Sequence, residues 1–329
     1  MKKRALITGI SGQDGAYLSE YLFENDYEVY GLLRRHSVPE NQTVRLENTY
    51  EEIKNNLFYA DLSDFASLIR IIKKIKPDEI YNLAAQSHVK VSFDIPLYTT
   101  ETIVNGTINL LEAIRMENRN IRFYQASSSE MFGNNIDTDG FQRETTPMHP
   151  VSPYGAAKLC AYNNVQIYRK SYNIFASNGI LFNHESPLRG TSFVTNKIAK
   201  GAVLIKKGLA KNLVLGNLSA SRDWGHAKDY VKAMWMMLNR RLPEDFVICT
   251  GKQHSVKDFA KLAFKQVGLD YKKYVVTDKK LYRPSEVDSL LGSCRKAKSK
   301  LKWRPEYNFE KLVKDMVRAD LEFVRKHRY

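Results

Sequence analysis

The chain has 329 residues, 43% of them hydrophobic, and a formal charge of +15. That apolar share supports one large packed domain or two linked ones. Three scattered cysteines, Cys160, Cys249 and Cys294, form no Cys-x-x-Cys pair. They exclude a disulfide scaffold and a cysteine zinc site, and they point to a reducing, cytoplasmic protein.

No stretch approaches the roughly 20 apolar residues of a membrane span. The opening MKKRALITGISG has too short an apolar run for a signal peptide. There is no repeat and no low-complexity segment. The basic excess is spread along the chain, densest in RKAKSKLKWRPE and VRKHRY, with no nucleic-acid motif beside it. It reads as a solvated surface, with local arginines available to a polyanionic nucleotide.

The first elements are in RALITGISGQDGAYLSEYLFEND: a short apolar strand, a glycine turn and an amphipathic helix. Gly9, Gly12 and Gly15 are spaced G-x-x-G-x-x-G. Glycine lets the turn close tightly and lets backbone N–H groups approach a pyrophosphate, which the helix N-terminus also favours. The pattern predicts a dinucleotide site; a ligand-free turn is the plainer alternative. The second strand is YEVYGLLRR. NAD-specific folds place an acid near its end, on the ribose 2′-OH. Here Arg34 and Arg35 stand there, and guanidinium groups suit a 2′-phosphate. The expected cofactor is therefore NADP rather than NAD, the alternative being an exposed basic loop.

LFYADLSD ends a third strand at Asp61-Leu62, where such folds hold adenine. PDEIYNLAAQSHV is a fourth strand ending in Ala84 and Ala85, small enough for the backbone to pass close to a cofactor. NIRFYQASSS and FASNGILF read as further strands. The alternation predicts an α/β fold with a doubly wound parallel (Rossmann) sheet reaching to about Leu181.

SPYGAAKLCAY contains Tyr-x-x-x-Lys, Tyr154 and Lys158, with Ser152 as N-cap and Pro153 at the first helical position. A spacing of four puts both side chains on one helix face. Free tyrosine has a pKa near 10, so about one in a thousand is ionised at neutral pH. Lowering it toward 7 takes roughly 4 kcal/mol of differential stabilisation. The Lys158 ammonium and an oxidised nicotinamide are the expected sources.

With these residues in place, the sequence resembles the extended short-chain dehydrogenase/reductase family, and within it the GDP-mannose 4,6-dehydratases. The match is carried by TGISGQDGAYL, EIYNLAAQSHVKVSFD, FYQASSSEMFG, SPYGAAK, NGILFNHESP, RDWGHAKDYVKAMW, EDFVICTG and YRPSEVD, from residue 8 to about 288. The resemblance implies roles. Ser128, where the family usually has Thr, would hydrogen-bond the sugar O4. Glu130 would be the acid/base and Tyr154 the other base. Lys158 would orient the ribose and tune Tyr154. Cofactor contacts would come from Gly9, Ser11, Gly12, Gln13, Asp14 and Gly15 in the turn. Arg34, Arg35, Asp61 and Leu62 would follow, then the run Leu83, Ala84, Ala85, Gln86 and Ser87. Tyr98, Tyr154, Lys158, His184 and Arg189 would complete that set. Lys197, Arg222 and Arg283 would meet the nucleotide diphosphate, with Glu286 on a hydroxyl. Ser87, Asn183, Leu215 and Gly216 would complete the substrate site with Ser128 and Glu130.

Glu130 selects among reactions. A reductase or 4-epimerase needs only Ser/Thr, Tyr and Lys. A dehydratase first oxidises C4 to a ketone, which acidifies the C5–H. A carboxylate must then take the C5 proton and assist departure of the C6 hydroxyl, with hydride returning to C6. Glu130 lies two residues past Ser128, on the same side if the strand persists. An exposed loop acid is the alternative.

Beyond ILFNHESP the chain turns basic and helix-rich. FVTNKIAKGAVLIKKG and VKDFAKLAFKQVG read as amphipathic helices. The expected division is a cofactor domain of 1–181 with 226–252, and a nucleotide-sugar domain of 182–225 with 253–329. Trp224, Trp235 and Trp303 read as core, and the seven histidines show no ligand spacing, so no metal is expected. Three segments depart from the family: HSVPENQTVRLENTYEE after the arginine pair, Leu188 where relatives commonly carry Arg, and the longer GNNIDTDGFQRETTP. In relatives the first of these reaches toward a neighbouring subunit, so the resemblance implies a homotetramer, or a dimer if the altered loop has lost one interface. The departures leave GDP-manno-heptose as an alternative sugar. The other rivals are a reductase or epimerase, and a non-enzymatic nucleotide sensor on the same scaffold.

Overall fold

Apolar strands alternating with amphipathic helices build a seven-stranded parallel sheet. The structure, a computed structural model, describes residues 2–35, 42–282, 285, 287 and 289–326. In chain order the strands are β1 (Arg4–Thr8), β2 (Glu28–Leu33), β3 (Leu57–Tyr59), β4 (Glu79–Asn82), β5 (Arg122–Ser128) and β6 (Ala176–Leu181). There follow β7 (Asn183–Glu185), β8 (Leu213–Leu215), β9 (Ser221–Arg222), β10 (Trp224–His226), β11 (Phe246–Ile248), β12 (His254–Ser255), β13 (Val275–Thr277) and β14 (Ser289–Leu290).

The large sheet runs β11-β6-β5-β4-β1-β2-β3, every neighbouring pair parallel. From β1 the chain steps outward to β2 and β3, then returns to place β4 on the other side of β1. That reversal opens a crevice beyond the carboxyl ends of β1 and β4, the place where open α/β sheets bind ligands. The third strand stops at Tyr59, two residues before the Asp61-Leu62 end read from sequence.

Helices cover both faces, so β4 and β6 are buried along their whole length. The amphipathic helix Phe65–Ile75 shows the local logic. Asp64 caps its first turn through Ser67 N–H, its apolar side packs under the sheet, and Lys76 ends it in the left-handed region. The helix Pro153–Tyr172 starts as its sequence predicts: Ser152 Oγ accepts from Gly155 N–H at 3.0 Å and Pro153 takes the first position.

A second apolar cluster joins the helices Val194–Lys206, Val256–Gln266 and Phe309–Lys326 through Ile198, Val203, Phe259, Phe264, Leu312 and Met316. The segment from Leu290 to Trp303 packs instead with the sheet, through Leu290, Cys294, Leu301 and Trp303. Trp224 and Trp303 are buried, and Trp235 is half-buried against the same core with Nε1 donating to Tyr27 OH at 3.1 Å. Among the described residues no helix is long and apolar enough to cross a membrane.

Candidate active site

The glycine turn follows β1 directly. Gly9 has φ +68°, and a Cβ there would stand 2.9 Å from Ala84 Cα. A Cβ on Gly15 would stand 2.5 Å from the Gly9 carbonyl. Gly12 N–H closes the turn on Gly9 O at 2.9 Å, and the helix Gln13–Glu24 begins at once. A side-chain-free turn feeding a helix N-terminus fits a dinucleotide pyrophosphate. Thr8 Oγ accepts the N–H groups of Leu83 and Ala84, each at 3.1 Å, which ties the end of β1 to the end of β4.

Around this turn the remaining cofactor candidates take their places. Arg34 and Arg35 are exposed just past β2, where Arg34 hydrogen-bonds the Tyr98 hydroxyl and lies 5.7 Å from its ring centre. Asp61 closes a local turn with Ser63 N–H and hydroxyl, and Leu62 is buried beside Gly106. Gln86 fixes its own turn by accepting from His88 N–H at 2.6 Å and donating to Thr99 Oγ1 at 3.1 Å. The Ser11 carbonyl faces Arg45 Nη1 at 3.4 Å.

A cleft of about 450 Å³ opens beside the first turn of the helix Gln13–Glu24, at Asp14. From the expected set it is lined by Asp14, Leu83, Ala85, Ser87, Ser128, Glu130, Tyr154, Lys158, Asn183, His184, Arg189, Lys197, Leu215, Gly216 and Arg222. Gly9, Ser11, Gly12, Gln13, Gly15, Arg34, Arg35, Asp61, Leu62, Ala84, Gln86 and Tyr98 stand outside that wall. Arg283 and Glu286 lie outside the described residues.

Four of these side chains converge at the end of β5. The strand stops at Ser128 and turns into a 3-10 helix, Ser129–Phe132. Glu130 is therefore not placed by strand alternation. Its backbone N–H donates to Ser128 Oγ at 3.2 Å, and this cap swings the buried carboxylate to the cleft. Lys158 is buried and donates to the Ala126 carbonyl at 2.7 Å. Burial pushes its ammonium down to about 8. Tyr154 is buried in the same group. Burial pushes its phenol up to about 12; the Ser128 hydrogen bond pulls it down and the Glu130 charge adds to the rise. Lys158 Nζ sits 5.7 Å from the Tyr154 ring centre and directs one of its three N–H groups to the Ala126 carbonyl; burial is the largest influence on the phenol.

The opposite wall is basic. Lys197 projects from the first turn of the helix Val194–Lys206, and Arg222 is buried at the end of β9, donating to Ser221 O. Arg189 is gripped: its Nε approaches Glu185 Oε2 at 2.9 Å, and its guanidinium lies 3.6 Å from the Phe193 ring centre. The Nε–Glu185 approach is an ion contact rather than an aligned hydrogen bond. Thr195 Oγ1 donates to the same carboxylate oxygen at 2.6 Å. Glu185 escaped the sequence reading, although an acid four residues before an arginine was the available signal. Lys90 escaped too; it lines the cleft and donates to Lys280 O at 3.3 Å. Arg45 carried no signal at all. Among the described residues no group of three His, Cys, Asp or Glu side chains could hold a metal.

The chain is 52% identical to GDP-mannose 4,6 dehydratase 1 of Arabidopsis thaliana, covering 99% of this chain and 92% of that protein. It is 49% identical to the human GDP-mannose 4,6 dehydratase, covering 98% and 92%. It is 46% identical to that of Vibrio cholerae, covering 99% and 96%. Among solved structures, a dTDP-glucose 4,6-dehydratase of Streptomyces venezuelae with NAD and TYD bound superposes with a TM-score of 0.83 at 24% identity, covering 99% and 98%. The Pseudomonas aeruginosa RMD complexed with NADPH superposes at 0.80 and 22%, covering 98% and 100%. Those likenesses show a shared fold. The family described as GDP-mannose 4,6 dehydratase matches residues 6–316. A buried Ser-Glu-Tyr-Lys set at the carboxyl end of β5 in a doubly wound sheet and 46–52% identity over 98–99% of the chain agree: the chain belongs to the GDP-mannose 4,6-dehydratase family.

Proposed function

We propose that this family member uses NADP to convert GDP-mannose to GDP-4-keto-6-deoxymannose and water. The observation that carries the reading is the convergence of Ser128, Glu130, Tyr154 and Lys158 on one wall, with a carboxylate that a reductase or epimerase would not need. The glycine turn and Lys158 would hold the dinucleotide. Arg34 and Arg35 would take a 2′-phosphate, since the end of β2 offers no acid for a ribose hydroxyl. Structural neighbours carry NAD in one case and NADPH in another, and the arginine pair is what favours NADP. A bound nicotinamide supplies reversible hydride transfer and, when oxidised, positive charge that favours a Tyr154 phenolate.

The side chains divide the remaining work. Ser128 holds the sugar O4 and Tyr154 takes its proton during oxidation at C4. Glu130 removes the acidified C5 proton and gives a proton to the C6 hydroxyl, which leaves as water; C6 then receives the hydride taken from C4 and C5 takes a solvent-derived proton, so the dinucleotide is not consumed. Lys197 and Arg222 neutralise the GDP diphosphate, with Arg283 and Glu286 assigned by resemblance alone. We further assign residues 1–181 with 226–252 to cofactor binding and 182–225 with 253–329 to the nucleotide sugar, the stretch Leu290–Trp303 of the latter packing against the sheet. The protein is read as a cytoplasmic homotetramer, or a dimer if the loop after Arg35 has lost an interface. Light scattering on the purified chain settles the oligomer. The deciding experiment is a panel of GDP-sugars scored for loss of water by mass spectrometry. GDP-mannose should be the preferred substrate. A kcat/KM about a hundredfold higher for GDP-manno-heptose, roughly 2.7 kcal/mol of transition-state preference, would overturn the sugar assignment.

A further inference from the structure

Asp14 is the second residue of the helix whose N-terminus the pyrophosphate would approach. An unpaired carboxylate there would repel a phosphate anion, so its presence needs a reason. The structure supplies a partner 170 residues away. Asp14 Oδ2 lies 2.7 Å from His184 Nε2, and Asp14 Oδ1 accepts from Gln13 Nε2 at 3.0 Å. The other ring nitrogen, His184 Nδ1, lies 2.8 Å from the Phe182 carbonyl oxygen.

A carbonyl oxygen only accepts, so Nδ1 carries a hydrogen. An ionised carboxylate only accepts, so Nε2 carries one as well. A histidine that donates from both nitrogens is an imidazolium. The ring is held in place by stacking on Tyr230, with centres 4.5 Å apart and planes 23° apart. Both side chains are largely shielded, His184 11% and Asp14 21% exposed. Burial opposes both charges, yet mutual attraction and the hydrogen bond hold Asp14 below the usual carboxylate value and His184 above the usual imidazole value. Arg189 is the other charge that His184 feels, and it acts against the imidazolium; Asp14 is felt in turn by Tyr154 and Lys158.

The same dipeptide makes two more cross-links. Gln13 Nε2 donates to the His184 carbonyl at 3.1 Å, and Ser186 Oγ donates to Gln13 Oε1 at 2.8 Å. Gln13 and Asp14 thus staple the glycine turn to residues 184–186, next to Asn183 and ahead of Arg189.

We propose that His184 is a protonated counter-ion that cancels the charge of Asp14, which lets an acid stand inside the anion cradle and anchor that cradle to β7. Both are positioning residues. The proposal deepens the cofactor reading above and rests on the cleft binding a nicotinamide dinucleotide.

Two measurements on the full-length protein test it. The first is the nitrogen-15 spectrum of the histidine rings near neutral pH, with the His184 signals assigned from their loss in His184→Gln. Both His184 nitrogens should carry protons. In Asp14→Asn the amide can donate instead of accept, and Nε2 should move to the unprotonated position. The second is NADPH affinity in a double-mutant cycle. His184→Gln keeps an N–H donor but removes the charge. It should weaken binding about tenfold or more with Asp14 present, and about threefold or less when Asp14→Asn is also present. A neutral His184 ring in the parent protein overturns the proposal, as do equal losses in the two backgrounds. A parent protein that binds no nicotinamide dinucleotide would overturn the cofactor reading, and the proposal would then stand or fall on the ring spectrum.

Discussion

The backbone N–H of Glu130 donates to the hydroxyl oxygen of Ser128 across 3.2 Å, so the residue assigned to hold the sugar O4 also fixes the turn that aims the acid. One oxygen serves two ends. Ser128→Ala should lose about 0.5–2 kcal/mol of stability from the missing cap. It should also lose about a hundredfold in kcat, because the acid is misplaced and O4 loses its donor. Ser128→Thr keeps the γ-oxygen and should recover most of both. Chemical denaturation and steady-state kinetics on the three proteins check this. An alanine variant with parental kcat would remove Ser128 from the site.

Glu130→Gln isolates the carboxylate. The carboxamide keeps the shape and the backbone hydrogen bond to Ser128, but it cannot take a proton. GDP-mannose binding should persist while kcat falls about a hundredfold or more. The parent reaction run in D2O should place deuterium at C5 of the product, and a C4-deuterated substrate should deliver its label to C6. The variant should still carry out the first oxidation, seen as NADPH absorbance on the enzyme. Dehydration at the parental rate would end the acid/base assignment.

Features governed by local rules were legible in the sequence. Gly9 announced a turn because glycine best tolerates its positive φ and close backbone contact, and Gly15 because a side chain there would meet the Gly9 and Ile10 backbone. Ser152-Pro153 announced the start of the helix that carries Tyr154 and Lys158. What could not be read there depended on tertiary context. Strand alternation could not place Glu130, because the Ser128 cap ends the strand. The rise of the Tyr154 pKa is a burial effect, and burial belongs to the whole fold. The Asp14–His184 pair joins positions 170 residues apart, so no spacing rule could find it. Glu185 was closer to hand: it lies inside the motif NGILFNHESP, four residues before its partner Arg189.

Arg35→Ala tests the cofactor choice. Arg34 and Arg35 are exposed beyond β2, and Arg34 is already tied to Tyr98. Losing charge-assisted hydrogen bonds to a 2′-phosphate costs about 1.5–3 kcal/mol, roughly a tenfold to hundredfold loss. That loss should fall on NADP, while NAD affinity changes little. Fluorescence titration of both reduced cofactors checks it. An equal or tighter NADH affinity in the parent protein would overturn the assignment.

Asp223 tests how the basic wall is held. It lies between β9 and β10 next to Arg222 and is fully buried. Oδ1 accepts from Thr250 N–H at 2.8 Å and Thr250 Oγ1 at 2.6 Å, and Oδ2 accepts from Gly251 N–H at 2.8 Å. Burial pushes its carboxyl up to about 6, with the Thr250 and Gly251 bonds pulling the other way. Asp223→Asn must present an N–H₂ group to one of those donors. The unpaired buried group should cost about 1–3 kcal/mol at neutral pH. The sign of the pH effect follows from the raised value. The folded state keeps the proton where the unfolded chain, near 3.8, has lost it. The proton-linked stability is complete below about pH 4 and is lost as pH rises through about 6, at no more than about 1.4 kcal/mol per pH unit. Asparagine has no such slope, so the deficit of the variant should be largest near pH 4 and shrink toward pH 6. Because Arg222 shares the segment, KM for the GDP-sugar should rise more than kcat falls. Urea denaturation across that pH range, paired with kinetics, checks both. A deficit that does not change with pH would show that Asp223 is ionised in the folded protein throughout, and that its hydrogen bonds outweigh its burial.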